Sequence, residues 1–183
     1  MKKVVLAALI MCVSAASFGQ KYITHTGKVI FDATTPKSPE KISGINNEVG
    51  SMMDGKSGAF VFQVPVKSFK FEKALMKEHF DENYMESDKF PKADFNGKVS
   101  DMANVNMAKE GTYNVTVAGK LTIHGVTKEV SVPGTLTVKG KDIEAKAKFE
   151  AKLADYNISV PSIVSDKLAK EATITVDVLL NQK

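Results

Sequence analysis

The sequence predicts an all-β protein, with about eight antiparallel strands closed around an oily interior and a short helix between the third and fourth. Three observations predict it. Oily and polar residues alternate with period two along most of the chain, the links between the later strands are very short, and one segment, 68–90, switches to three- and four-residue spacings. The alternation is cleanest from 142 to 153. Ile143, Ala145, Ala147, Phe149, Ala151 and Leu153 take the odd positions, and Asp142, Glu144, Lys146, Lys148, Glu150 and Lys152 the even ones. Strand side chains point to opposite faces in turn, so this segment has one apolar and one charged face; a helix would scatter the charges around its circumference.

Taken in order, the first strand lies near 22–34 (Val29, Phe31) and a weaker second near 41–50 (Ile42, Ile45, Val49). The third, 58–66, puts Phe60, Phe62, Val64 and Val66 on one face, and the fourth lies near 93–101 (Phe95, Val99). The fifth, 111–123, aligns Tyr113, Val115, Val117, Leu121 and Ile123, with Gly119 in the same register. The sixth, 127–139, carries Val130, Val132, Leu136 and Val138, and Pro133-Gly134 marks a bend or bulge in it. The seventh is 142–153, and the eighth, 171–181, carries Ala172, Ile174, Val176, Val178 and Leu180. Gly125 and Gly140-Lys141 are links short enough only for antiparallel hairpins, since a parallel crossover needs about a dozen residues or more.

Two connections are long. Between the third and fourth strands, Leu75, Met76, His79, Phe80 and Met85 recur at helical spacing, which predicts a short helix around 72–83, and Pro91 ends the segment. The second, 154–170, runs through Asp155, Tyr156, Pro161 and Asp166. Insertions of this kind in a tight meander are expected at a barrel mouth. No linker or composition break divides the chain, which is expected to form one domain over 20–183.

Residues 1–19 read as a secretory signal peptide. Lys2 and Lys3 precede the apolar run Val4–Val13, and Ser17 and Gly19 are the small residues before a cut at Gln20; a cut after Ser17 is the alternative. The run is too short for a membrane span. Met11 is not the small residue a lipoprotein anchor needs before Cys12. Export is therefore expected, to the periplasm or outside the cell. The mature chain of 164 residues has no cysteine, so it uses neither disulfides nor thiolate metal sites. Loss of Lys2 and Lys3 lowers the formal charge from +4 to +2, and the remaining lysines alternate with acids. No basic stripe with stacking aromatics is present, which argues against nucleic acid as a partner.

Alternation alone leaves a barrel and a two-sheet sandwich both open. A membrane pore is disfavoured: it turns its apolar face outward between aromatic girdles, whereas here a charged face turned inward would crowd six ionised side chains into a narrow lumen. Residue size bears on what the interior holds. Ala145, Ala147 and Ala151 leave room where a sealed core would place large side chains. The competing reading is that Phe60, Phe62, Tyr113 and Phe149 fill that room from opposite walls.

Two stretches carry a family resemblance. The run FVFQVPVKSFKFEKALMKEHFDENYMESDKFPKADFNGKV at 60–99, and GTYNVTVAGKLTIHGVTKEVSV at 111–132 with its core Gly119-Lys120-Leu121-Thr122-Ile123-His124-Gly125-Val126-Thr127-Lys128, resemble the YceI-like family of exported lipid- and polyisoprenoid-binding proteins. The resemblance covers nearly all of the mature chain. It implies a soluble, eight-stranded, lipocalin-like antiparallel barrel, a short helix beside its mouth, and a polyisoprenoid, quinone tail or fatty acyl chain in the lumen. Many members carry a His-Ser pair leading into the first strand, whereas Thr26-Gly27 stand at that place here and His25 falls one position off. A head-group contact at that pair is therefore not carried over, and the chain reads as a divergent branch.

The expected wall residues are Phe60, Phe62, Val115, Val117, Leu121, Ala145, Ala147, Phe149, Ile174, Val176 and Val178, with Phe69 and Phe71 at the mouth. Phe69, Phe71, Phe80, Phe90 and Tyr84 either line the mouth or pin the helix to the barrel. No metal, cofactor or catalytic residue is expected: His25, His79 and His124 lack zinc-site spacing, and no nucleophile elbow or phosphate loop occurs. Glu78, Asp81, Glu82 and Glu86 read as a solvated face, with a polar gate at the rim as the rival. The function expected is non-enzymatic binding of a lipid-like ligand. The alternative is a structural or protein-interaction domain with a filled core, and a third reading, an enzyme acting on an isoprenoid, has only the His25 and His79 neighbourhoods behind it. The oligomeric state is left open, with a dimer among the options.

Overall fold

Eight strands close on themselves because the first hydrogen-bonds to both the second and the last. The computed structural model describes residues 20–100 and 102–183, so the expected signal peptide lies outside the described residues. The strands are β1 (Lys21–Thr34), β2 (Ser43–Asp54), β3 (Ala59–Pro65), a two-residue β4 (Lys70–Phe71), β5 (Lys92–Val99), β6 (Gly111–Ile123), β7 (Val126–Lys139), β8 (Asp142–Lys152) and β9 (Leu168–Gln182). Around the barrel they run β1-β2-β3-β5-β6-β7-β8-β9, every pair antiparallel. The sandwich is excluded, and the barrel with one short helix is what the sequence predicts.

The β8–β9 ladder shows why the alternation reads so cleanly. Ala145 faces Val178, Ala147 faces Val176 and Phe149 faces Ile174 on the inner side. On the outer side Lys146 faces Asp177, Glu150 faces Thr173 and Lys152 faces Glu171, with a hydrogen bond from the Thr173 hydroxyl to Glu150 at 2.7 Å. The charged face is the outer one, where a pore would need its apolar belt. Such cross-strand pairs are the unit of sheet stabilisation.

β2 runs to Asp54, four residues beyond the expected end, and its weak pattern has a physical cause. The inward positions Asn46 and Ser51 are polar yet buried, and each is satisfied: the Asn46 amide donates to the Pro65 carbonyl at 2.7 Å and the Ser51 hydroxyl to that of Val61 at 2.9 Å. Hydrogen-bonded polar groups of this kind are tolerated inside. β3 pairs with β2 only over 50–53, and β4 takes its place beside Gly44 and Ile45. A Cβ on Gly44 would sit 2.7 Å from the Phe71 ring, so only glycine permits that approach.

The helix is shorter than the spacing predicts. α1 spans Ala74–His79, and the chain then widens into a π-turn over Phe80–Tyr84, closed by a bond from the Met85 N–H to the Phe80 carbonyl at 2.9 Å. The wider turn brings Phe80 and Met85, five apart, into the same buried cluster, where an unbroken α-helix would have parted them. The expected bulge at Pro133-Gly134 is not there. The β6–β7 register runs unbroken through Pro133, and it is the ladder to β8 that stops at Gly134.

Both long connections reach the same end of the barrel. Phe69, Phe80 and Met85 from the first, and Leu153, Tyr156 and Ile158 from the second, join one buried cluster with Val29, Ala33 and Ala172. The opposite end is closed by Tyr22, Met53, Val105, Ile143 and Leu180. The segment carrying Val105 is held across that end by the Tyr113 hydroxyl, which donates to the carbonyls of Asn106 and Lys109 at 3.3 and 3.2 Å. Among the described residues no helix is long and apolar enough to cross a membrane.

Candidate ligand-binding lumen

Between the two clusters the barrel is hollow. The cavity measures about 180 Å³, and the whole non-atom space, counted out through its open end, about 1320 Å³. On the first measure a void needs only about 10–15 Å³ to admit a water, so this one exceeds any packing defect. Its walls are apolar almost throughout. Mid-barrel inward residues show the same thing from the protein's side: Phe62, Val117, Phe149, Ile174 and Val176 are only half-buried although they face inward, because they face open space.

Small residues recur on the inner face. Ala145, Ala147 and Ala151 all border the cavity. Gly97 and Gly119 pair across β5 and β6 on the inner face, where a Cβ on Gly119 would fall 2.4 Å from the Gly97 Cα. The ring of Phe95 folds over Gly97 in the space this leaves, its tip 2.6 Å from where a Cβ would stand. Phe60 and Phe62 do not plug the lumen; their rings tilt together on one wall with centroids 4.6 Å apart.

The barrel is also split along one seam. β7 and β8 pair from Lys139–Asp142 only as far as Gly134–Ala147. Beyond that, β7 keeps only β6 as partner over 126–133, and β8 keeps only β9 over 148–152. The seam is bridged at the mouth by the 3₁₀ turn Leu153–Tyr156 that follows β8. The Tyr156 carbonyl there accepts a hydrogen bond from His124 Nδ1 at 3.1 Å, and a carbonyl can only accept, so Nδ1 carries that proton. The other ring nitrogen, Nε2, lies 2.8 Å from Glu86 Oε2. His124 therefore ties the β6–β7 turn to both long connections at one point, with Phe90 edge-on to its ring at 4.5 Å.

Eleven of the thirteen expected wall and mouth residues border the cavity. They are Phe60, Phe62 and Phe69 from the first half, Val115, Val117 and Leu121 from β6, Ala145, Ala147 and Phe149 from β8, and Ile174 and Val176 from β9. Val178 and Phe71 do not. Val178 is 1% exposed and packs into the closed end, filling the space left by Gly27, whose Cβ would meet it at 2.5 Å. Phe71 lies outside the wall, its ring 4.9 Å from that of Phe80. Phe80 also meets Phe69 at 5.3 Å and Phe31 at 5.6 Å, so the aromatic cluster pins the helix and lines the mouth at once. Phe31, Met85, Phe95 and Tyr156 border the cavity without having been expected there. Phe95 had a signal, since it continues the inward register of its strand; Tyr156 had none, because its turn follows no period.

His25 and His79 are exposed, and among the described residues no three His, Cys, Asp or Glu side chains gather as a metal site would require. Lys77 pairs with Asp81 on the mouth helix, and the second oxygen of that carboxylate, Oδ1, is buried without a partner among the described residues.

Residues 17–180 match the YceI-like domain. The chain belongs to the YceI-like family. No curated protein sequence matches it. Solved structures similar to this YceI-like chain include a polyisoprenoid-binding domain from Saccharophagus degradans implicated in plant cell wall breakdown, at 11% identity and a TM-score of 0.77, covering 91% of this chain and all of that one. BcnA from Burkholderia cenocepacia follows at 18% identity and a TM-score of 0.67, covering 84% of this chain and 95% of that one. The YceI protein of Campylobacter jejuni is 16% identical with a TM-score of 0.63, covering 81% and 90%. At these identities the likeness is one of fold, and the barrel is the YceI-like barrel.

Proposed function

We propose that this YceI-like protein is an exported, non-enzymatic binding protein that holds a long apolar chain, a polyisoprenoid, quinone tail or fatty acyl group, in its lumen. The observation that carries the reading is an apolar cavity running from the Phe80–Met85 mouth down to Phe60, Val115 and Leu136. Moving apolar surface out of water gains about 0.8 kcal/mol per methylene, so a tail is held without any strong polar contact. Selectivity along the tail is then loose and rests on polar groups near the mouth. The Saccharophagus domain is described as binding polyisoprenoid, which supports this class of ligand here. Export rests on the signal-peptide pattern of residues 1–19, and the mature domain on 20–183.

The test is organic extraction of the purified protein, with native mass spectrometry before and after. A passenger near one per chain, lost on extraction, supports the reading. Protein that emerges empty and takes up no prenol or fatty acid would leave the alternative, an interaction domain.

A further inference from the structure

We propose that the lumen's occupant carries an anionic head, a carboxylate or a phosphate, which sits outside the wall beside Lys128; this rests on the lumen reading above. The cavity wall offers almost no polar surface, so a polar head drawn inside would lose its water without gaining a partner. The tail therefore fills the lumen and the head stays where water reaches it. What stands at that rim decides which heads are favoured.

Lys128 breaks the pattern that makes the wall. Among the described residues it is the one position with a formal charge on the inner face of β3, β5, β6, β7 and β8. Its neighbours on that face are Leu121, directly across on β6, and Val130, next along β7, and both border the cavity. Lys128 itself is exposed and does not. The seam accounts for this. The β7–β8 ladder ends at Gly134–Ala147, so position 128 has β6 on one side and no strand on the other. In a closed wall an inward lysine would be a buried, unpaired charge, which is costly. Beside the seam its ammonium keeps its water while its stem starts from the lumen's edge.

That ammonium is also free. Among the described residues Lys128 has neither an ion-pair nor a hydrogen-bond partner, whereas Lys139, Lys146 and Lys152 of the same two strands are each engaged by a glutamate, at 3.1, 3.1 and 3.7 Å. The adjacent Glu129 belongs to the outer face, opposite Lys120. At the mouth the Glu86 carboxylate is taken by His124 at 2.8 Å and Lys89 at 4.0 Å. An apolar lumen on one side of the β7 backbone and an unpaired cation in water at its edge match the two ends of an amphiphile with a negative head. A neutral head gains nothing from that charge, and a cationic one is repelled.

The experiment titrates the purified wild-type protein, Lys128→Gln and Lys148→Gln with three probes of one tail length: dodecanoate, dodecyl phosphate and dodecanol. At about 10 mM salt the wild type is expected to bind the anions about two- to fivefold more tightly than the alcohol, the worth of an exposed ion pair, with the advantage shrinking in about 0.5 M salt. Lys128→Gln is expected to bring the anions to the alcohol's level and leave the alcohol's affinity in place, which also shows that the variant is folded. Lys148→Gln removes an exposed cation from the outer face of the seam's other edge and is expected to keep the preference. A preference that survives Lys128→Gln, or that Lys148→Gln loses to the same degree, overturns the assignment. A wild type that binds the alcohol as tightly as the anions overturns this inference alone; a wild type that binds none of the three overturns the lumen reading with it.

Discussion

Gly134 on β7 and Ala147 on β8 form the last rung between their strands before the two part. A Cβ on Gly134 would lie 2.7 Å from the Lys146 carbonyl oxygen and 3.5 Å from the Ala147 Cβ, so the rung is as tight as backbone allows. Immediately past it the seam between the two strands opens. Two small residues thus mark where a closed barrel becomes an open one.

Ala147→Phe places a ring in the lumen just inside that rung. The ring enters open space, so the fold is expected to survive with little change in Tm. Displacing even two methylenes of a bound tail loses about 1.6 kcal/mol, more than tenfold in affinity. Displacement titration with a fluorescent fatty acid or prenol reads this directly, and undiminished uptake by the variant counts against a lumen site.

Gly119→Val tests the glycine pair. Its Cβ would meet the Asn96 carbonyl oxygen and the Gly97 Cα, each at 2.4 Å, and neither is a flexible side-chain end that can swing away. Strand separation of β5 from β6 is the only relief. The expected loss is about 1–3 kcal/mol in urea denaturation, with a similar slope. An unchanged midpoint would mean the two strands are held further apart.

His124→Ala releases the mouth bridge by removing partners from the Tyr156 carbonyl and the Glu86 carboxylate together. Amide exchange over 153–158 is expected to speed up, while exchange at the closed end around Val105 stays as it was. Global stability is expected to fall by about 1–2 kcal/mol, since one bond is to a charged group at a partly exposed rim. Uniform acceleration across the barrel would show that His124 supports the whole fold instead.

Acid sensitivity is predicted at two carboxylates. Hydrogen bonds from the Ser57 backbone and hydroxyl hold the Asp54 carboxyl below its ordinary range, and those from Lys139 and Lys146 do the same for Glu144. A folded value below the unfolded one gives stabilisation that is complete above the unfolded value, about 4, and is lost as pH falls through the depressed one. Stability should therefore decline below about pH 5. Asp54→Asn should lower stability at neutral pH and flatten that decline; parallel profiles for variant and wild type would contradict the assignment.

The strand alternation made the fold legible, most of all in β6, β7 and β8, whose limits fall within one residue of the expected ones. It reports which face a side chain occupies, and inward faces are what a wall is made of, so most of the wall was legible too. It does not report which strand lies alongside. Val130 and Val132 on β7, and Phe149 and Ala151 on β8, go on alternating after the two strands have parted, so nothing in the pattern signals the seam. The π-turn was hidden for a related reason: Phe80 and Met85 fit a helical period only loosely, and the extra residue in the turn is a tertiary choice that buries both. Val178 shares the inward register with Val176, yet whether a position faces the cavity or the packed end depends on Gly27 across the strand pair, which no period reveals.

The account rests on an apolar chain lying inside the barrel. A fatty acid or prenol bearing a photoactivatable diazirine along its tail, cross-linked to the full protein and mapped by peptide mass spectrometry, tests that most directly. Labels on the inward residues Phe62, Val117, Phe149 and Ile174, competed away by unlabelled prenol, are the predicted result. Labels confined to outward residues such as Lys148 and Glu150, or none that compete, would contradict it.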